Sequence, residues 1–349
     1  MNILIVRLGS IGDIVHTLPA LAALRRRFPD ARIDWLVESR TREILLDNPV
    51  IDHLLEVDTL GWRRKLHSST TWKQIGDSLR ALRSTQYDVV FDFKGLLKSG
   101  VLTRLSRSPR RVGFGRSHLR ESLSFVFTNE RLSPPSGCTH VIDRNLYLLN
   151  ALGIETHERV FPIEVPPEMH EKAGRQLDSM GLAEYVIVNP GGGWITKQWS
   201  PERYGKLARE IEKGWDFPSL VLWGPGEEAL AKRVVGASEG SAHLAPSTGL
   251  RESIPYLIHA ALFVGGDTGP FHIAGALGVP LVGVFGPSDP AKNGPVGLSD
   301  QVVWKAVDCS PCYKRRCPGF DTVCLTSITV SDVVEAVRTR LAERGKSPG

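Results

Sequence analysis

Five cysteines in 349 residues are too few for a secreted disulfide framework, and four of them crowd between positions 309 and 324, where they could staple only one loop. No apolar run approaches the roughly 20 residues that cross a bilayer as a helix. The opening residues MNILIVRLGSIGD turn polar after six positions and lack a basic leader, so the expectation is no signal peptide and a cytoplasmic location. No short repeat or low-complexity tract is evident. Aromatic side chains make up 7% of the chain; with few of them to stack on bases, and with no helix-turn-helix, zinc-finger or RNP pattern, no nucleic-acid partner is expected. What remains is 42% apolar and 23% charged with 34 Gly and 23 Pro, the make-up of a soluble globular protein. At roughly 150 residues per domain its length fits two domains.

Charge is uneven along the chain. Residues 1–165 carry 24 basic and 18 acidic side chains, whereas the remainder carries 19 and 20. Between positions 60 and 120, fourteen Lys and Arg stand against Asp77, Asp88 and Asp92, a field that recruits anions or simply solvates a face. A phosphorylated or carboxylated partner fits that field at least as well as a nucleic acid.

Short apolar runs alternate with longer amphipathic stretches, the pattern of βαβ units and parallel sheets. The first half predicts strands at 3–6, 32–37, 53–57 and 87–93, with a helix after the first strand that carries Leu18, Leu21, Leu24 and Phe28. The segment VFPIEVPPE at 160–168 has three prolines and no helical period, which places a linker there. The second half predicts strands at 185–189, 219–223, 261–266 and 279–286. Its helices are expected near 169–180, 201–213, 227–236, 250–259 and 269–278. The expected boundaries are 1–162 for an N-terminal Rossmann-like domain, 163–329 for a second, and 330–349 for a last helix, to about 344, with a frayed tail.

Open α/β sheets bind ligands beyond the carboxyl ends of their strands, which directs attention to four turns. Gly9-Ser10-Ile11-Gly12-Asp13 lets backbone approach a ligand and sets an acid at a helix start; Asp13 reads there as an N-cap, as a general base for an acceptor hydroxyl, or as both. Gly191-Gly192-Gly193-Trp194, followed by Thr196 and Lys197, favours close backbone contact with a phosphate, although it lacks the P-loop spacing. Asp267-Thr268-Gly269-Pro270, with His272, runs from a strand into a helix whose N–H groups and dipole favour an anion; a capped helix with Pro in its first turn accounts for Asp267 or Thr268 alone. Glu227 in the turn after 219–223 could meet ribose hydroxyls or could simply be an acidic first helical turn.

Together, RLGSIGDIVHTLPAL, the KQW loop and GGDTGPFHIAGALGVPLVGVFGP resemble glycosyltransferase family 9, the bacterial ADP-heptose:lipopolysaccharide heptosyltransferases. WRRK at 62–65, YDVVFDFKGLLKSG at 87–100 and LRESLSFVF at 119–127 look most like heptosyltransferase I, which adds the first heptose to Kdo-lipid A. The resemblance implies an α/β GT-B fold, two Rossmann-like domains facing across a cleft, with acceptor on the first and nucleotide sugar on the second. It implies Asp13 as base and Lys197 as partner of the donor diphosphate. Gly191, Gly192, Thr196, Glu227, Asp267, Thr268, Gly269 and His272 would form the donor site. Ser10, Gly12, Arg63, Arg64, Lys65, Lys98 and Arg120 would meet the acidic acceptor, in line with the charge asymmetry.

Inverting transfer then needs an ionised Asp13, expected near its reference value of about 4, to take the acceptor proton while fixed N–H groups and Lys197 stabilise departing ADP. No cofactor is required. A lipid acceptor implies peripheral contact with the cytoplasmic face of the inner membrane, although no amphipathic anchor is evident. The spacing of Cys309, Cys312, Cys317 and Cys324 permits a tetrahedral zinc or iron site; reduced thiols in a compact loop are the competing reading. Two alternatives stand beside the transferase: another GT-B nucleotide-sugar enzyme with a different donor or an epimerase chemistry, and a non-catalytic sugar-nucleotide-binding protein.

Overall fold

Short β-branched and leucine-rich runs become the buried strands of two parallel sheets. A computed structural model describes residues 1–319 and 321–342, and the chain divides into two units between Glu164 and Val165. The first unit holds β1 (Asn2–Val6), β2 (Arg32–Glu38), β3 (His53–Val57), β4 (Val89–Asp92), β5 (Arg110–Phe114) and β6 (Glu130–Leu132) in the order β3-β2-β1-β4-β5-β6. The second holds β7 (Val186–Asn189), β8 (Ser219–Val221), β9 (Ala242–Leu244), β10 (Leu262–Gly266), β11 (Leu281–Phe285) and β12 (Gln301–Trp304) in the order β9-β8-β7-β10-β11-β12. Each sheet is therefore doubly wound, and each reverses direction between its first and fourth strands, where such sheets bind ligands. Every predicted strand is present. β5, β6, β9 and β12 lay outside the prediction because they are short or begin with charged and polar residues, with too little apolar alternation to read.

Register brings the strand ends level. Val6 pairs with Leu36 on one side and Asp92 on the other, so the segments leaving β1, β2 and β4 emerge side by side. In the second sheet Asn189 pairs with Gly265, setting the loop after β7 beside the loop after β10. The cores beneath are dry. Trp35, Tyr87 and Phe91 in the first unit and Trp199, Tyr204 and Phe263 in the second are all fully buried, and burying an aliphatic or phenyl side chain contributes roughly 1.5–3 kcal/mol.

The single helix expected after β1 is two, Ile11–Val15 and Leu18–Arg27. Pro19 lies in the first turn of the second, where its missing N–H costs nothing; inside one continuous helix its ring would meet the carbonyl four residues back. Thr17 fills the break, its hydroxyl donating to the Asp13 carbonyl at 2.9 Å. The second unit's expected helices are all present, at Pro167–Ser179, Pro201–Trp215, Glu228–Ala237, Leu250–Ile258 and Gly269–Ala276. The last helix runs Val330–Ala342 and packs on the edge of the second sheet. Its expected continuation to about 344 and the tail after it lie outside the described residues.

Candidate functional site

At the carboxyl edge of the first sheet the turn after β1 closes on itself. Ser10, not Asp13, is the N-cap of helix Ile11–Val15: Asp13 sits three residues later as the reciprocal partner of a capping box, accepting from the Ser10 backbone N–H at 2.8 Å and hydroxyl at 3.0 Å. This corrects the expectation that Asp13 itself caps the helix. Gly9 makes the turn feasible, because a Cβ there would fall 2.2 Å from the Asp13 carboxylate. The same carboxylate accepts from Arg7 Nη2 at 3.0 Å and Lys94 Nζ at 2.6 Å. Burial by itself would raise the Asp13 pKa, but attraction first to Arg7 and then to Lys94 outweighs it and holds the carboxyl well below the usual range. The expectation of a reference value near 4 is thus corrected. Asp13 is more firmly ionised, and a weaker base, than a free aspartate.

Arg7 and Lys94 were not read from sequence as part of this turn. Arg7 is buried at the end of β1, donating also to the Asp13 and Phe93 carbonyls. Lys94 stands two residues past the end of β4, on a turn whose N–H groups are accepted by buried Asp92. Strand order brings both to Asp13. Burial lowers the Lys94 pKa, Asp13 opposes that, and the positive charges of Arg7 and Arg120 lower it further. Exposed Arg120 is thereby placed within electrostatic reach of the pair.

The other predicted acceptor residues sort into two groups. Lys98 is committed inside the protein: its ammonium donates to buried Glu38, at the end of β2, at 2.5 Å and to Thr59 Oγ1 at 3.1 Å. Thr59 begins the short helix Thr59–Arg64, so the Glu38–Lys98 pair anchors the segment that carries Arg63, Arg64 and Lys65. Those three are exposed. Ser10 is exposed and Gly12 is buried in the capped turn.

The second sheet carries a parallel arrangement. Asp267, directly after β10, accepts from Lys197 Nζ at 2.5 Å and lies 2.8 Å from His272 Nε2. Burial would raise its pKa, and the hydrogen bond and charge of His272, followed by Lys197, hold it well below the usual carboxylate range instead. Thr268 is the cap of helix Gly269–Ala276, accepting from the Phe271 N–H and donating to Asn189 Oδ1 at 3.2 Å. The capped-helix reading therefore holds for Thr268, and Asp267 is left for the two bases. Asn189 was not read from sequence; it ends β7 and bridges Thr268 to the Leu222 carbonyl.

Glu227 stands at the N-cap position of the helix that follows it, but its side chain makes no capping hydrogen bond. Its carboxylate accepts from the N–H of Gly192 at 2.8 Å and of Gly224 at 3.0 Å, tying the glycine loop to the turn after β8. Gly191 is required there, since a Cβ would land 2.2 Å from that carboxylate. Thr196 is buried and its hydroxyl donates to the Lys314 carbonyl at 2.7 Å, so it turns toward the cysteine loop. Trp194 lies between two cations, Lys197 at 4.8 Å and Arg315 of the cysteine loop at 5.5 Å from its ring centre.

Cys309, Cys312, Cys317 and Cys324 all line one cavity of about 420 Å³ beside Thr196. They are free thiols, and burial followed by the proximity of the other three pushes the Cys324 thiol up. Among the described residues no group of three or more His, Cys, Asp or Glu side chains is arranged to hold a metal ion.

The profile of glycosyltransferase family 9 (heptosyltransferase) matches residues 76–320. Lipopolysaccharide heptosyltransferase 1 of Pseudomonas aeruginosa is 32% identical over 320 residues, covering 91% of this chain and 87% of that protein. Among solved structures, the E. coli heptosyltransferase WaaC with ADP superposes with a TM-score of 0.77 at 26% identity over 97% of this chain and 99% of that one. The same enzyme with ADP-2-deoxy-2-fluoro heptose gives 0.76 at 25% identity over 99% and 100%. The two doubly wound units are the GT-B architecture of those enzymes.

Because Asp13 and Asp267 are more acidic folded than unfolded, each contributes stability that is present above the unfolded value near 4 and is lost as pH falls toward the folded one. The urea midpoint of wild type is expected to drop between pH 4 and pH 2, and Asp267→Asn to drop less steeply across that window. Parallel pH curves for the two proteins would remove Asp267 from the account.

Proposed function

This chain belongs to glycosyltransferase family 9, the heptosyltransferases, and from that membership we propose that it transfers heptose from ADP-heptose to a Kdo-lipid A type acceptor in the lipopolysaccharide inner core, with inversion. The observation that carries the reading is a carboxylate kept ionised at the ligand-binding edge of the first unit, together with a lysine and a capped helix start at the corresponding edge of the second.

In this reading Asp13 is the general base. Its Oδ2 already takes three donors, Ser10 N–H, Ser10 hydroxyl and Lys94, more than its two lone pairs serve well. Oδ1, which accepts from Arg7, is the oxygen offered to the acceptor hydroxyl. As the glycosidic bond forms, the hydroxyl proton passes to Asp13 and the bond to the diphosphate breaks. A strongly acidic carboxyl accepts that proton only late, when the oxygen has bonded to the anomeric carbon and become acidic itself. Lys94 and exposed Arg63, Arg64, Lys65 and Arg120 attract the acidic sugar; Lys98, being committed to Glu38, holds the framework.

On the donor side, Lys197 and the free N–H groups at the start of helix Gly269–Ala276 meet the diphosphate. The glycine loop at Gly191 and Gly192 allows the nucleotide close to backbone, and Glu227 keeps acceptor capacity for a ribose hydroxyl beside its two N–H donors. The reading is supported by the ADP and ADP-2-deoxy-2-fluoro heptose held by the WaaC structures. No cofactor enters the step. No helix among the described residues is long and apolar enough to cross a membrane, and a lipid acceptor is reached by peripheral attachment at the inner leaflet.

Purified protein given ADP-heptose is expected to release ADP only when Kdo-lipid A is also present; acceptor-independent release, or release from another nucleotide sugar alone, would favour a different chemistry. Asp13→Asn should lower kcat by about 10²–10⁴-fold with ADP affinity within about threefold of wild type, and wild-type turnover in that variant would remove the base. Lys197→Ala should weaken ADP binding, measured by calorimetry, by about 10–100-fold, the value of a charge-assisted hydrogen bond; unchanged affinity would break the assignment.

A further inference from the structure

Helix Leu97–Leu105 leaves the same strand end that supplies Lys94, and it presents a face that the fold does not cover. Leu97, Val101 and Arg104 are exposed and fall at i, i+4 and i+7 on one side, with Leu97 and Val101 each 41% accessible. The opposite side is closely packed: at Gly100 a Cβ would fall 2.5 Å from the Phe127 ring. Phe127 closes the turn segment Ser122–Phe127, which packs along the helix and is tied to it by the Leu97 N–H donating to Glu121 at 2.7 Å. That segment exposes two further apolar side chains, Leu123 at 63% and Val126 at 56%.

Four exposed aliphatic side chains thus gather on two adjoining segments, and cations surround them. Arg116 and Arg131 each lie against the Phe125 ring, 5.3 and 4.9 Å from its centre. Arg104 and Arg120 are exposed on the same two segments or directly before them. Among the described residues none of these four arginines forms an ion pair with a carboxylate. Single exposed leucines need no explanation, but an apolar cluster ringed by unneutralised arginines is complementary to one kind of surface, an acyl layer beneath anionic headgroups.

We propose that Leu97, Val101, Leu123 and Val126, with Arg104 and Arg116 around them, form the surface by which this protein docks on an anionic lipid bilayer. The aliphatic side chains enter the headgroup boundary and the arginines meet lipid phosphates. The surface adjoins the Lys94 turn and Arg120, so a glycolipid anchored in the same leaflet presents its sugar to the acceptor edge of the first sheet. This inference rests on the lipid-acceptor reading for its purpose, although not for its test.

The experiment is vesicle flotation of the full chain with phosphatidylethanolamine–phosphatidylglycerol vesicles and with phosphatidylcholine vesicles, neither containing donor or acceptor. Wild type is expected to float with the anionic vesicles and largely to stay behind with the neutral ones. Leu123→Ser/Val126→Ser, both exposed and so harmless to the core, should weaken binding to anionic vesicles by tenfold or more. Arg104→Glu/Arg116→Glu should do the same and abolish the preference for anionic lipid. ADP release with a deacylated, water-soluble acceptor should be unchanged in the Leu123→Ser/Val126→Ser variant, while release with vesicle-embedded acceptor falls. Wild type that ignores anionic vesicles, or a serine variant that floats as wild type does, would overturn the docking surface and leave the transferase reading standing. Wild type that binds vesicles yet never releases ADP would do the reverse.

Discussion

Each of the two carboxylates at the strand edges, Asp13 partly buried and Asp267 fully, depends on a pair of basic groups to remain charged. Removing an aspartate from water costs several kcal/mol, and here that cost is offset twice over, at Asp13 by Arg7 and Lys94 and at Asp267 by His272 and Lys197. Neither charge could be kept by one partner on a mobile loop. Arg7 is buried at the end of a central strand, and His272 is buried one helical turn past Asp267, so both are rigid. Lys94 and Lys197 arrive from neighbouring strands. The carboxylates therefore lock adjacent loops together as well as carrying charge. On the proposed reading Lys197 is shared: a diphosphate that engages it would compete with Asp267, which holds the lysine in position.

The repetition of one strand order in both units explains why the chemistry divides as it does. A doubly wound sheet opens a crevice only where helices leave its first and fourth strands on opposite faces. In the first unit that crevice is bordered by the turn after β1 and the turn after β4, which deliver Asp13 and Lys94. In the second it is bordered by the loops after β7 and β10, which deliver Lys197 and the Thr268 cap. One topology carries an ion-paired aspartate in a capping box in one copy and a lysine beside a capped helix start in the other. The difference comes from loop residues alone: a capping box with an acidic third position after β1, three glycines and a lysine after β7.

Much of this was legible in the chain itself. The Gly-Ser-Ile-Gly-Asp turn, the triple glycine with Lys197, and Asp267-Thr268-Gly269 are each marked by glycine, a capping residue and a preceding apolar run, all local signals. What escaped was non-local. Nothing near Asp13 in sequence announces Lys94, 81 residues away; only the adjacency of β1 and β4 does, and strand order is not written in periodicity. The same holds for Asn189, whose amide bridges two loops 79 positions apart in the case of Thr268. Lys98 shows the same limit: its charge is legible, but its ion-pair partner Glu38 lies on a different strand. The helix break at Thr17 is marked in the chain by Pro19, which belongs in a helix's first turn and not in its interior.

On the proposed reading of Asp13 as base, its strong acidity has a consequence for how the reaction would divide its labour. Proton transfer to a carboxyl held far below its usual range offers little driving force until the acceptor oxygen has become positively charged by bonding to carbon. The barrier must then be lowered chiefly where the diphosphate departs, by groups whose positions are already fixed. Lys197 is held at two points, by the Asp267 carboxylate and by the Asp267 carbonyl at 3.1 Å, and Trp194 covers its flank. Asp13, in turn, has a different use for its strong ionisation: it balances Arg7 and Lys94 and fixes both at the sheet edge, so that on this reading Lys94 meets a negatively charged acceptor from a held position beside the exposed arginines.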